Sequence, residues 1–198
     1  MTLYDFMKRV FRFQFRLMGW KMQGVENMPS EGPVILALNQ VNFWDPIVAA
    51  SSLSRQVFFM VKEELFSIPV LGRILLKLGA FPVKQGQGDI NAIRQSLGVL
   101  KEGRVLGLFP EGARSKTGAS PKGLPGIVLL MDKSKASVVP IKVHGTRHLL
   151  TKGWGKLGVV VGKPLTAEML KAPVGVENRR EWIANRVMQA MSELSEAK

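Results

Sequence analysis

Residues 33–53, PVILALNQVNFWDPIVAASSL, combine an apolar run, a polar turn and the start of a helical pattern. The run PVILALN at 33–39 has the length and branching of a buried strand. Asp45 before Pro46 is a favourable helix start, because the carboxylate can cap free backbone amides and proline is tolerated in the first helical turn. A buried strand that leads directly into a helix is the repeating unit of an α/β fold.

The same alternation continues along the chain. Further apolar runs with the character of buried strands lie at 56–62, 79–84, 104–110, 137–143 and 157–162. Helical patterns lie at 45–53, 67–79, 89–103 and 178–194. The chain therefore predicts an α/β domain with a mostly parallel or mixed sheet flanked by helices. In such sheets ligands gather where strands end and helices begin.

Composition narrows the class of protein. Hydrophobic residues make up 46% of the 198 residues and charged residues 22%, which is the balance of a folded globular domain. No run of about 18 apolar residues predicts a spanning helix and no signal peptide precedes the domain, so we expect an intracellular protein. The absence of cysteine excludes disulfides, thiolate metal sites and a thiol nucleophile.

The net charge of +13 indicates anionic partners. Candidates are nucleic acid, an anionic membrane surface, an acidic carrier protein and a phosphorylated substrate. Outside the N-terminus no stretch interleaves aromatic and basic residues in a recognised nucleic-acid-binding pattern. We therefore predict no nucleic-acid partner.

The N-terminal segment has a polarised distribution of side chains. On a helical wheel its cations fall within an arc of roughly 100°, with bulky apolar side chains around the other side; these cations are Lys8, Arg9, Arg12 and Arg16. This distribution is typical of a helix in a membrane interface, although a helix packed on its own domain shows a similar stripe. We assign residues 1–24 to an amphipathic membrane-associating helix and residues 25–198 to the α/β domain.

The turn after the first strand carries more polar side chains than helix capping explains. Capping accounts for Asp45 but gives no reason for Asn39, Gln40 and Asn42. Since this turn is expected at the ligand-binding edge of the sheet, we predict that it binds a ligand or carries a reacting group.

A second polar turn, GLFPEGARSKTG at 107–118, follows another predicted strand. It combines the carboxylate of Glu111, the backbone freedom of Gly112, the guanidinium of Arg114 and the hydroxyl of Ser115, a set suited to holding a phosphate group. Pro-Glu-Gly turns with surface cations are common in loops, so this motif alone does not identify a site.

Two lysines, Lys62 and Lys84, each follow an apolar strand, with a helical pattern between them. At neighbouring strand ends they could share a phosphate with Arg114. The alternative is that both are ordinary solvated lysines whose stems cover apolar surface.

Taken in order, these turns resemble the glycerolipid acyltransferases, most closely the bacterial 1-acyl-glycerol-3-phosphate acyltransferases. That family is marked by Asn-His-x-x-x-x-Asp, a block near Gly-x-x-Phe-x-x-Arg, then Phe-Pro-Glu-Gly-Thr-Arg-Ser, then an apolar Val-Pro-Ile strand. The corresponding stretches here are 39–45, 79–84, 109–115 and 139–141. Four blocks in the right order make chance similarity improbable.

The resemblance implies transfer of a fatty acyl group from acyl-CoA or acyl carrier protein to the free hydroxyl of lysophosphatidic acid, giving phosphatidic acid in phospholipid biosynthesis. It implies no metal and no redox cofactor, and a peripheral position on the cytoplasmic face of the cell membrane. The residues that would hold substrate are Arg114, Lys62 and Lys84 at the acceptor phosphate, with Asn39, Glu111, Gly112 and Ser115 as further contacts.

Three positions depart from the family's pattern: Ala113 replaces a threonine, Lys84 stands where arginine is common, and Gln40 stands where the family has its histidine. In the family that histidine is the general base for the acceptor hydroxyl, and the aspartate matched by Asp45 orients it. A carboxamide has no basic site near neutral pH, so Gln40 predicts an impaired or inactive enzyme. The alternative is a non-catalytic phospholipid-binding protein on the same fold.

No other residue is assigned as the base. His144 and His148 are the only histidines, and a histidine after a buried strand is more often structural than catalytic. Their spacing is also a weak metal signal. Glu111 is expected to receive hydrogen bonds from the substrate or from its own loop.

Overall fold

The computed structural model of the chain describes residues 2–40, 42–84, 89–110, 125–149 and 156–195. Its α-helices are α1 (Leu3–Leu17), α2 (Asp45–Ser52), α3 (Pro69–Lys77), α4 (Ile90–Lys101), α5 (Pro125–Ser134) and α6 (Arg179–Ser192). Its strands are β1 (Lys21–Gln23), β2 (Val34–Leu38), β3 (Val57–Lys62), β4 (Phe81–Val83), β5 (Val105–Leu108), β6 (Ser137–His144) and β7 (Gly158–Val161). The predicted α/β class is confirmed.

Two elements are missing from the sequence-based assignment. β1 has three residues, all exposed, so no apolar run reveals it, and it lies within the segment assigned to the N-terminal helix. α5 begins with Pro125 and Gly126, which indicate a turn in a sequence pattern. Both depend on their partners, because β1 pairs with β7 and α5 packs against α4 and α6.

The seven strands form one sheet in the order β1-β7-β6-β2-β5-β3-β4. Adjacent strands are parallel except β6 and β7, which are antiparallel. The sheet is therefore mixed and mostly parallel, as predicted. Because β6, β2, β5, β3 and β4 run in the same direction, their carboxyl ends lie along one edge, here called the carboxyl edge.

The central strand β2 is buried on both faces. Leu36 and Leu38 join a core cluster with residues of α1 and α2, whereas Ile35 and Ala37 join a second cluster with residues of α4, α5 and α6. Every residue of the strand is buried. This double burial is the reason that the strand reads as a continuous apolar run and not as an alternating one.

The helices divide between the two faces according to the direction of their connections. The connections β2-α2-β3 and β3-α3-β4 cross the sheet in one direction, while β4-α4-β5 and β5-α5-β6 cross it in the other. Since such crossovers are right-handed, opposite directions place helices on opposite faces. By this rule α2 and α3 lie on one face, and α4 and α5 lie on the other. α1 packs on α2, and α6 packs on α5.

One side of α1 packs onto the domain. Tyr4 and Phe15 are buried, and the hydroxyl of Tyr4 accepts a hydrogen bond from the backbone amide of Val57 at 3.2 Å. Burial raises the pKa of Tyr4. The ring of Phe11 makes an edge contact with Trp44, at 6.3 Å between centroids. α1 is thus connected to the turn that precedes α2.

The outward side of α1 is also apolar. Large exposed apolar side chains recur there at helical spacing, namely Leu3, Phe6, Val10, Phe13 and Leu17. The apolar arc seen on the helical wheel therefore divides into a side that packs on the domain and a side that faces away from it. In the described part of the chain, no helix is long and apolar enough to cross a membrane.

Gly107 in β5 allows a close approach that alanine would block. A Cβ at this position would overlap the ring of Phe59, which is buried and stacked on Phe109 at 6.0 Å. We expect Gly107→Ala to lower the free energy of unfolding by about 1–3 kcal/mol, because overpacking a core displaces side chains from their rotamers. Urea denaturation measures this change.

The matched control is Gly98→Ala in α4, where an added Cβ meets no heavy atom within 4 Å. This substitution is expected to raise the free energy of unfolding by about 0.5–1 kcal/mol, because alanine favours the helix. Equal urea midpoints for Gly107→Ala and the parent chain would show that Phe59 repacks without cost.

Candidate functional site

The polar turns identified in the sequence meet at the carboxyl edge. Asn39 and Gln40 follow β2, Phe109 and Pro110 follow β5, and Lys62 ends β3. β2, β5, β3 and β4 are consecutive neighbours, so the turn ends lie side by side. The expectation that these stretches share one edge agrees with the topology. The predicted site residues Glu111, Gly112, Arg114 and Ser115 lie outside the described residues.

A crevice is expected between β2 and β5. From β2 the chain passes to α2, whose Val48 packs in the cluster on the α1–α2 face. From β5 it passes to α5, whose Ile127 packs in the cluster on the opposite face. Adjacent parallel strands whose connections leave to opposite faces form a topological switch point, where α/β proteins bind ligands.

The carboxylate of Asp45, at the start of α2, is fully buried. Its Oδ1 accepts a hydrogen bond from Thr146 Oγ1 at 2.5 Å, and its Oδ2 accepts one from the backbone amide of Asn42 at 2.7 Å. The expectation that Asp45 caps the free amides of α2 is wrong in detail, since it is the first residue of α2 and bonds backward to the turn. A buried carboxylate requires such partners because desolvation without them is costly.

Thr146 is the site residue that sequence reasoning missed. It is almost completely buried and follows Gly145, which has a positive φ of 79° and no room for a Cβ against the Lys156 carbonyl. Only glycine adopts that conformation without strain. The sequence signal is a Gly-Thr pair after a predicted strand, which does not reveal the distant partner Asp45.

Asn39 joins β2 to β6. Its Nδ2 donates to the carbonyl of Val143 at 2.8 Å, and its Oδ1 accepts from the amide of Val143 at 2.7 Å. The side chain thereby imitates a paired strand residue beyond the end of β2. We predicted substrate contact for Asn39, and the geometry gives its amide a positioning role on the turn.

Gln40 is exposed, between the anchored residues Asn39 and Asp45. Neither anchor depends on the side chain at position 40, since Asn39 bonds Val143 and Asp45 bonds Thr146 and Asn42. The turn therefore presents residue 40 to the solvent side of the carboxyl edge on a backbone fixed from both ends.

Lys62 and Lys84 lie at neighbouring strand ends. In the parallel β3–β4 pair Lys62 is opposite Val83, so Lys84 is the next residue along. Lys84 Nζ is 3.9 Å from Glu63 Oε2, and both side chains are mostly exposed, so this ion pair contributes little to stability. The two cations are available to an anionic ligand at this end of the edge.

Asp89 holds the backbone of Lys84 by a hydrogen bond. Its carboxylate accepts hydrogen bonds from the backbone amides of Lys84 (3.0 Å), Asn91 (2.9 Å) and Ala92 (3.1 Å). These bonds, led by that of Lys84, lower the pKa of Asp89. The residue caps α4 and fixes Lys84 relative to that helix.

An apolar cavity of about 220 Å³ adjoins the end of β5, on the α4–α6 face. Its lining includes Met60 of β3, Val83 of β4, Pro110, and Ile93 and Ile127 from α4 and α5. The hydroxyl of Ser96, also in the lining, donates to the carbonyl of Ala92 at 2.7 Å and is therefore satisfied. A space of this character suits a hydrocarbon chain.

The ring of His144 is held by contacts within the fold. Its Nδ1 lies 2.9 Å from the Lys156 carbonyl, and its ring occupies the space where a Cβ on Gly158 would lie. The side chain of His148 lies outside the described residues. Within the described ranges no group of three or more His, Cys, Asp or Glu side chains could hold a metal ion.

Comparison with known proteins identifies the family. Residues 19–144 match the family model described as Acyltransferase. The chain is 31% identical over 151 residues to the 1-acyl-sn-glycerol-3-phosphate acyltransferase of Bacillus subtilis, covering 74% of each protein. It is 30% identical over 172 residues to a chloroplastic 1-acyl-sn-glycerol-3-phosphate acyltransferase of Arabidopsis thaliana, covering 82% of this chain but only 48% of that protein.

Among solved structures, the 1-acyl-sn-glycerophosphate acyltransferase of Thermotoga maritima has the same fold. The TM-score is 0.68 at 20% identity, and the match covers 98% of this chain and 80% of that one.

The Thr146–Asp45 hydrogen bond predicts a measurable loss of stability on its removal. Thr146→Val keeps the shape of the side chain but leaves a buried carboxylate oxygen without this donor, so the free energy of unfolding should fall by about 1–3 kcal/mol. Thr166→Val removes an exposed hydroxyl whose hydrogen bond from the Met169 amide is long, at 3.4 Å, and open to water, so it should change the free energy of unfolding by less than about 0.5 kcal/mol. Indistinguishable urea midpoints for the two variants would contradict this role of Thr146.

Proposed function

Because this chain belongs to the acyltransferase family, we propose that it transfers a fatty acyl group from an acyl thioester to the free hydroxyl of 1-acyl-glycerol 3-phosphate, giving phosphatidic acid. The observation that carries the proposal is the carboxyl edge, where the residues that follow β2 lie beside those that follow β5. The end of β5 in turn borders an apolar cavity. The relatives named for this reaction support the choice of substrates.

In this proposal the acceptor hydroxyl lies against residue 40 and attacks the thioester carbonyl. A carbon–oxygen ester bond forms, the carbon–sulfur bond breaks, and the hydroxyl proton must be removed as the thiol leaves. Gln40 can accept a hydrogen bond from the hydroxyl but cannot take its proton. Loss of a general base typically costs about 100- to 10,000-fold, so this chain retains the binding site with an impaired chemical step.

The remaining substrate groups are assigned by their chemistry. The acceptor phosphate binds Lys62 and Lys84, together with Arg114 in the segment after β5. An acyl tail occupies the apolar cavity beside Pro110. The donor is acyl-CoA or acyl carrier protein, both acidic, and the net charge of +13 favours their approach.

The lipid substrates place the reaction at a membrane surface. The outward side of α1 exposes five large apolar side chains, which fits a peripheral helix in the interface of an anionic bilayer. Phe11 and Trp44 connect that helix to the turn bearing residue 40. Docking of α1 would thus hold the turn close to its lipid substrate.

A second function is favoured by Gln40 itself: binding of phospholipid without turnover. Asn39 and Asp45 are anchored without any help from residue 40, so the fold keeps its binding edge in the absence of a base. Restoring a base at position 40 distinguishes the two functions, because only the enzyme would gain activity.

The decisive experiment compares this chain with Gln40→His. Transfer of a labelled acyl group from acyl-CoA and from acyl carrier protein to lysophosphatidic acid is measured on anionic vesicles. We expect the variant to be at least about 100-fold faster, because the imidazole removes the hydroxyl proton. Gln95→His, on the exposed side of α4, is the matched control and should leave the rate unchanged. Binding of lipid by both chains with transfer by neither would favour the non-catalytic function.

The membrane role of α1 is tested separately with Phe13→Glu. Phe13 is 68% exposed, and its removal from the interface should lower partition onto anionic vesicles by at least about tenfold. Ile90→Glu changes an apolar side chain of similar exposure, 70%, on the opposite face and should leave partition unchanged. Vesicle flotation measures both. Equal partition of the two variants would exclude α1 as the membrane contact.

A further inference from the structure

α3 leaves an unusual share of its apolar side chains in contact with solvent. Val70 is 72% exposed and Leu76 59%, and Ile74 is exposed as well, as is Ile68 just before the helix. The helix packs mainly on the short 3₁₀ helix Glu63–Phe66 that precedes it. Exposed apolar surface of this kind marks an interaction site when it is contiguous.

The same surface is basic. Arg73 and Lys77 are exposed between the apolar side chains, and α3 contains no acidic residue. The nearest carboxylates in sequence are Glu63 and Glu64, and Glu63 lies 3.9 Å from the ammonium of Lys84. Long cationic stems carry their charge to headgroup level while apolar neighbours contact acyl chains. The chemistry therefore fits an anionic lipid surface.

The position of α3 in the fold also favours contact with an anionic lipid surface. Right-handed crossovers place α3 on the same face of the sheet as α2, on which α1 packs. By the crossover rule, the exposed large apolar side chains of α1 and of the segment 65–76 belong to elements on one face of the sheet. On the described part of the opposite face, α4 exposes Ile90, and the segment around the buried Leu170 exposes Met169 and Val174 without a cation-bearing helix like α3.

We propose that α3 is a second lipid-contact surface, which enters the same anionic bilayer as α1 and binds its headgroups through Arg73 and Lys77. The inference rests on the proposed membrane setting. With α1 and α3 both in contact, the domain is held at two points and its orientation on the bilayer is defined. The carboxyl edge, from which the 3₁₀ helix and α3 continue, is then held near the lipid.

Because the chain has no cysteine, single-cysteine variants can report insertion residue by residue. Val70→Cys in α3, Phe13→Cys in α1 and Ile90→Cys in α4 are each labelled with an environment-sensitive fluorophore and mixed with vesicles of phosphatidylglycerol and phosphatidylcholine. We expect a blue shift and quenching by spin-labelled acyl chains at positions 70 and 13, and neither at position 90. Circular dichroism and urea midpoints verify that each variant is folded.

The outcomes separate the two proposals. Insertion at 13 without insertion at 70 overturns the α3 surface and leaves the membrane setting intact. Insertion at neither position overturns both. A label at 70 that is silent with vesicles but responds to acidic acyl carrier protein would assign α3 to the carrier, which also overturns lipid contact.

The contribution of the two α3 cations to membrane binding is tested with two matched double variants. Arg73→Gln with Lys77→Gln on α3 should weaken partition onto anionic vesicles by about fivefold per cation, and hardly at all onto phosphatidylcholine alone. Arg94→Gln with Lys101→Gln removes the same charge from the exposed side of α4 and should have little effect. Equal losses for the two pairs would show that only net charge matters and would overturn the assignment of headgroup binding to α3.

Discussion

The candidate site depends on the hydrogen bonds that the buried carboxylate of Asp45 accepts. It receives hydrogen bonds from Thr146 and from the amide of Asn42, so it ties the turn after β2 to the segment after β6. Asn39 makes a second tie, to Val143 of β6. Asn39 and Asp45 are therefore both held by hydrogen bonds to other elements, and Gln40 follows Asn39 directly at the carboxyl edge.

The residues that hold the turn and form the cavity are different from the residue at position 40, which would carry out the proposed chemistry. The anchors of the turn do not involve Gln40, and the cavity beside Pro110 is formed by β3, β4, β5, α4 and α5. A glutamine at position 40 therefore leaves the fold and the apolar cavity intact while it removes the basic nitrogen that the proposed reaction requires.

On the surface, α1 also has one side that packs on the domain and another that is exposed. One side of α1 packs on the domain through Tyr4 and Phe15, and the other side leaves Phe6 and Phe13 exposed. α3 contributes little to the core and keeps Val70 exposed. α1 and α3 thus keep apolar area that folding does not bury, and this area is the basis of the proposed lipid contact.

The sequence by itself determined β2 to β7 and most helices, because buried strands and helices have apolar runs of characteristic length and spacing. It also placed Lys62, Lys84 and Gln40 at strand ends and Asp45 at the start of a helix. Tertiary structure alone decided the existence of β1, the partnership of Asp45 with Thr146, and which apolar side of α1 is buried. These features depend on contacts between residues distant in the chain, and local periodicity holds no information about such partners.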